Sequence, residues 1–207
     1  ASMLVYNHIR GHKRNVLFLG PTGCGKTEIW RVLGKLYKNI RIIDSTRITQ
    51  EGWKGEYKFQ NVFDGIEEDT AENMILVFDE FDKMCEPMYG SNGSNYSTAI
   101  QNELLKFMEG TDIECKDDKE KAKIKMINTS KISFVFCGSF ESMMVKKNEG
   151  SRSLGFGVDI EKKSAFAQYQ EKITPEDLAA NGNVRREVCG RINQIVQLKE
   201  LSTEDYE

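Results

Sequence analysis

Two short segments of the chain carry residue types at spacings suited to phosphate chemistry. Gly20-Pro21-Thr22-Gly23-Cys24-Gly25-Lys26-Thr27 fits the pattern G-x-x-x-x-G-K-[ST] at every position. Its glycines let the backbone curl so that successive N–H groups face a phosphate, at the positive end of the helix that follows. Lys26 is then placed to reach the β- and γ-phosphates, and the Thr27 hydroxyl to ligate Mg²⁺. The second segment, Ile75-Leu76-Val77-Phe78-Asp79-Glu80, is an apolar run that ends in two carboxylates. Asp79 suits the Mg²⁺ sphere, since hard cations take oxygen ligands, commonly through water. Glu80, one residue on, is placed to polarise a water for attack on the γ-phosphate. Together the two segments point to a nucleoside triphosphatase that uses Mg²⁺.

These groups meet only if strands and helices bring them together, and the hydropathy pattern supplies both. Five nearly continuous apolar runs read as strands covered on both faces: 16–19, 40–43, 74–78, 132–136 and 195–198. Helical patterns lie between them. Ile29, Leu33, Leu36 and Tyr37 line one face, and Phe59, Val62, Phe63 and Ile66 fall at i, i+3, i+4, i+7. Ile100, Leu104, Leu105 and Met108 form a third stripe, opened by Thr98 with Gln101 three residues on and closed by Gly110. A fourth helix opens at Thr174-Pro175, with Asp177 at its third position, and ends near Gly182. Strands alternating with helices predict an α/β fold around a five-stranded parallel sheet, flanked by helices on both faces.

Three stretches break the rhythm. Residues 89–97 form a small polar loop, residues 112–125 mix acids with lysines and read as a solvated excursion, and residues 148–163 set three glycines around Leu154 and Phe156. No internal repeat is present.

Composition narrows the function classes. The 207 residues carry a formal net charge of −3, which argues against nucleic acid as a partner. No apolar run reaches the roughly 20 residues of a membrane span, and no secretory pattern opens the chain. The five cysteines (24, 85, 115, 137 and 189) are odd in number and lack metal-ligand spacing, which fits reduced thiols in a cytoplasmic protein. Residues 1–4 read as a cloning remnant or a disordered start.

Beyond these segments the chain resembles the ClpX-type AAA+ unfoldases, and more distantly HslU. The resemblance runs from Val5-Tyr6-Asn7-His8 to Leu201-Ser202 through ordered segments: GPTGCGKT, DSTRITQEGWKGE (44–56), FDEFDK (78–83), LLKFMEGT (104–111), TSKISFVFCGSF (129–140), LGFG (154–157) and CGRINQIVQLKELS (189–202). It implies that residues 5–207 are a P-loop NTPase (AAA+) large ATPase subdomain. In the family such subdomains form homohexameric rings that thread unfolded or tagged proteins through a pore, often into a ClpP-type peptidase.

The resemblance also implies residue roles. Gly52-Trp53-Lys54-Gly55 matches the family's substrate-gripping pore loop, where an aromatic on a glycine hinge can grip many side chains without sequence selection. Lys54 stands where the family has an apolar residue, which would bias the grip toward acidic segments. Residues 89–97 lie where the family places a second pore loop. Leu154-Gly155-Phe156 matches the loop that docks on the peptidase, and Arg191 matches the arginine finger that reaches a neighbour's nucleotide. Cys137 and Ser139 are both candidates for the sensor of the γ-phosphate.

Against the family pattern, the upstream segment that contacts adenine and the C-terminal small subdomain are expected to lie outside residues 5–207, and the zinc-binding adaptor domain and the basic substrate-recognition loop find no match within them. The isolated chain is accordingly expected to bind nucleotide weakly and hydrolyse it little. Two other readings fit the same motifs: a remodelling chaperone without a peptidase partner, and a slow nucleotide-dependent binding module.

Overall fold

The apolar runs become strands, but not all are covered on both faces as expected. Those at 16–19, 75–79 and 133–138 are buried almost throughout, whereas those at 40–44 and 194–197 form the sheet edges and are buried only in part. The computed structural model describes residues 1–48, 57–66, 68–90, 93–116, 124–150 and 172–200. Its α-helices are α1 (Ser2–Ile9), α2 (Lys26–Leu36), α3 (Glu68–Ala71), α4 (Phe81–Cys85), α5 (Tyr96–Glu109), α6 (Glu141–Gly150), α7 (Pro175–Asn181) and α8 (Arg186–Cys189). Its strands are β1 (Val16–Leu19), β2 (Ile40–Asp44), β3 (Ile75–Asp79), β4 (Asp112–Lys116), β5 (Ile124–Asn128), β6 (Ser133–Gly138) and β7 (Gln194–Gln197). Five of these form one sheet in the order β2-β3-β6-β1-β7, and every pairing in it is parallel.

Strand alternation divides the core into two layers. Val16, Phe18, Ile75, Val77, Val135 and Cys137 face α1 and α2, where they pack with Leu4, Val5 and Trp30. Leu17, Leu19, Leu76, Phe78, Phe134 and Phe136 face the opposite layer, which includes α4, α5 and the ends of α7 and α8. The expected three-layer α/β fold is the one observed.

Several local expectations change. Residues 1–4 open a helix, because Leu4 and Val5 bury their side chains against the sheet. On α2 the buried residue is Trp30, edge-on to Phe18 with ring centroids 5.4 Å apart, while Leu36 is 81% exposed. The inward stripe is thus 30, 33 and 37; of the expected 29, 33, 36 and 37, Leu33 and Tyr37 face the core as read. The stretch around Phe59 makes a short 3₁₀ turn (Phe59–Phe63) in place of an α-helix, although Phe59, Val62, Phe63 and Ile66 are all buried as expected. Gly65, at φ 74°, turns the chain there. Helix α5 starts at Tyr96 with Asn95 as its cap, three residues before Thr98, and closes at Gly110 as read. The Thr174–Asp177 capping box at the start of α7 is present in both directions.

The largest local difference is at residues 112–125. Strands β4 and β5 pair antiparallel there, with Ile113, Cys115 and Ile127 buried. Charged residues alternate with Ile113 and Cys115 and hide a period-2 pattern of only a few apolar positions. The 89–97 loop is likewise ordered at its base: Tyr89 bridges Asn95, and the Tyr96 N–H donates to the Met88 carbonyl at 2.8 Å.

Candidate functional site

Parallel sheets gather ligand sites at the carboxyl ends of their strands, and the phosphate-type loop leaves β1 at that end. Gly23 and Gly25 sit at φ 85° and 83°, and a Cβ at either would meet no atom within 4 Å. Their requirement is conformational: an L side chain is strained there, and the turn that starts α2 depends on it. Lys26, the first residue of α2, folds back so that Nζ donates to the carbonyls of Gly20 at 2.7 Å and Pro21 at 2.8 Å.

Two strands away, β3 delivers its acids to the same place. The Thr27 hydroxyl donates to Asp79 Oδ1 at 2.7 Å, which joins the loop to the end of β3. Glu80 follows with a left-handed backbone, and its carboxylate accepts from Lys83 Nζ at 2.7 Å one helical turn on. That hydrogen bond, and then the Glu80 charge, raise the Lys83 ammonium above its ordinary range.

Between these groups lies an open cleft of about 380 Å³, lined by Lys26, Thr27, Asp79, Glu80, Cys137 and Ser139 among others. Volume, cations and backbone all suit a triphosphate. Thr27 and Asp79 offer the hard oxygens that a magnesium ion takes alongside phosphate oxygens. Among the described residues no cluster of three or more His, Cys, Asp or Glu could hold a metal alone. A cation here would therefore depend on the nucleotide to complete its shell.

Both sensor candidates line the cleft, in different states. Cys137 is fully buried, and burial, then the Asp79 charge, pushes its thiol up to about 12. At neutral pH it is a neutral, weak donor. Ser139 donates its hydroxyl to Asp82 Oδ2 at 3.0 Å. Arg31 and Glu141 are site-proximal residues that the motifs did not mark, and Asp82 and Lys83 lie in the matched segment 78–83 without a role assigned to them. Asp82, Lys83 and Arg31 line the cleft, and Glu141 accepts from Thr22 at 2.9 Å. The one available signal was the position of Asp82 and Lys83 on the helix that begins just after Glu80.

Arg191 is elsewhere. Its carbonyl accepts from Asn15 Nδ2 at 3.0 Å, immediately before β1, and its guanidinium pairs with Glu109 at the end of α5. Since the phosphate loop begins at the far end of β1, the two are separated along the strand by about 15 Å at roughly 3.3 Å per residue. Arg191 lies at the opposite end of the sheet from its own cleft. The segments 52–55 and 154–156 lie outside the described residues.

A sequence profile of the ATPase family associated with various cellular activities (AAA) matches residues 16–142. The ATP-dependent Clp protease ATP-binding subunit ClpX of Treponema denticola is 30% identical over 234 aligned positions, covering 99% of this chain and 56% of the relative. The chain thus spans just over half the length of that curated relative. The profile match takes in the loop that leaves β1, the acids that end β3 and the Ser139 edge of the cleft, and the chain belongs to the AAA family of ATPases.

Proposed function

We propose that this chain is the ATP-hydrolysing part of a ClpX-like protein unfoldase, acting in the cytoplasm as one subunit of a homohexamer. The carrying observation is the meeting of Lys26, Thr27, Asp79 and Glu80 in one cleft while Arg191 stands at the far end of the sheet. Gly20, Pro21, Thr22, Gly23, Cys24 and Gly25 wrap the phosphates of ATP, and Lys26 neutralises their charge. Thr27 and Asp79 hold Mg²⁺, which when bound offsets charge on the phosphate oxygens. Glu80 takes a proton from the attacking water, once nucleotide binding frees its carboxylate from Lys83. Arg191 completes a neighbour's site, so hydrolysis follows assembly and an isolated chain turns over slowly.

Trp53, between Gly52 and Gly55, grips substrate in the pore, with Lys54 biasing the grip toward acidic segments. Support comes from the residues that flank this segment. Ile48 and Phe59 are buried on either side, and the Arg47 guanidinium lies over the Tyr57 ring at 5.5 Å. The described chain before and after it, at Ile48 and Phe59, is thereby anchored in the core, as a lever driven from the ATPase site requires. Leu154-Gly155-Phe156 docks a ClpP-type peptidase.

The test uses the full-length protein, ATP, a ClpP-type peptidase and a folded fluorescent substrate carrying a degradation tag. Fluorescence is expected to fall only with ATP and peptidase together, and Phe156→Ala is expected to abolish the loss. ATP hydrolysis with no loss under any tag would remove the peptidase partnership and favour a stand-alone remodelling chaperone.

A further inference from the structure

Glu80, which lines the cleft, and Phe140, buried next to the lining residue Ser139, have left-handed backbones, at φ 55° and φ 54°. Residues with side chains keep such a conformation only where their surroundings hold it. One carboxylate stands between these two. Asp82 Oδ2 accepts from Ser139 Oγ at 3.0 Å and from the Phe140 N–H at 3.0 Å. Its other oxygen lies against the end of β6, where a Cβ on Gly138 would meet Asp82 Oδ1 at 2.9 Å and the Phe140 ring at 2.8 Å. Beside this polar clasp the buried Phe81 and Phe140 rings meet edge-on at 6.3 Å. The turn that carries Glu80 and the strand end that carries Ser139 are therefore fastened together by residues 81 and 82.

We propose that Asp82 is a positioning residue for ATP hydrolysis. By holding Ser139 and Phe140 it fixes the spacing between Glu80 and the facing edge of the cleft, across which a terminal phosphate and its water must fit. Asp82 does so through these neighbours, without touching nucleotide. The inference rests on the reading of Glu80 as the general base. It separates two quantities that usually fall together: the phosphate loop holds ATP whether or not the clasp is closed, whereas water attack needs the spacing.

The experiment measures ATP affinity and single-turnover hydrolysis in the assembled full-length protein for Asp82→Ala, Asp82→Asn, Gly138→Ala and Glu80→Gln. Asp82→Ala is expected to slow hydrolysis by about ten- to a hundredfold while affinity stays within about threefold, the signature of a transition-state effect. Asp82→Asn keeps a carbonyl oxygen able to accept both bonds and is expected to recover hydrolysis to within about threefold of the parent. Gly138→Ala leaves the carboxylate in place but intrudes on it, and is expected to reproduce the Asp82→Ala pattern.

Asp82→Ala at the parental rate would overturn the inference. So would a parallel loss of affinity and rate, or an Asn variant no better than Ala. Should Gly138→Ala not fold, the Ala and Asn variants at position 82 decide by themselves. Normal turnover in Glu80→Gln would remove the underlying reading of the base. An inactive Glu80→Gln beside a fully active Asp82→Ala would remove the positioning role alone.

Discussion

Lys26→Ala is expected to lower the affinity of the full-length protein for ATP by about two to three orders of magnitude, at roughly 1.5–3 kcal/mol for each charge-assisted bond lost to phosphate. The ammonium is already held inside the loop by the Gly20 and Pro21 carbonyls at 2.7 and 2.8 Å, so little reorganisation precedes phosphate contact. Charged phosphate oxygens are stronger partners than those carbonyls, and the exchange favours bound nucleotide. In the alanine variant the loop keeps its glycines and its Thr27–Asp79 bond, so its shape survives while the charge is gone. A fluorescent-nucleotide titration of the full-length protein measures the effect, and a thermal melt reports whether the fold is intact. Retained affinity in a folded variant would mean that nucleotide binds somewhere other than this cleft.

Arg191→Ala is expected to cut ATP turnover in the assembled full-length protein by about a thousandfold or more, the usual scale for an arginine finger supplied in trans. Each subunit should keep its nucleotide affinity, because Arg191 lies at the other end of the sheet from its own phosphate loop. Loss of the Glu109 pair should matter little to stability, since both side chains are 45% exposed and such pairs contribute about 0–1 kcal/mol. A mixing experiment isolates action in trans. Rings assembled from Arg191→Ala and Glu80→Gln subunits should regain part of the turnover that neither variant has by itself. In those rings an intact Arg191 faces an intact Glu80 at some interfaces. Mixed rings that stay inactive, with assembly verified by mass, would exclude Arg191 as the finger.

Features that depend on few residues close in the chain were legible in the sequence. The phosphate-type loop needs its glycines and Lys26 within eight positions, and both the pattern and its placement between a strand and a helix are local properties. The three central strands were readable because a strand buried on both faces must be apolar almost throughout, while the edge strands β2 and β7, only partly covered, show shorter apolar stretches. The Thr174 capping box and the Gly110 stop follow from the hydrogen-bonding needs of helix ends. Less legible were elements whose apolar residues are few or interrupted. The β4–β5 hairpin buries only alternate residues among charges, and α1 relies on Leu4, Val5 and His8 meeting a sheet formed far along the chain.

By itself, then, the sequence determined the sheet, the loop at the end of β1 and the pair of acids at the end of β3, because each is written in contiguous residues. Only the tertiary structure decided which groups meet. Thr27 reaches Asp79 because parallel pairing of β1 with β6 and β6 with β3 brings their carboxyl ends level. Asp82 clasps Ser139 and Phe140 across 57 and 58 positions of chain, a contact that no local pattern encodes. Arg191 is kept from its own cleft by the register of β7 beside β1, which sets it at the amino end of the strands. Spacing along the chain names the chemical groups, and strand order and register set their distances.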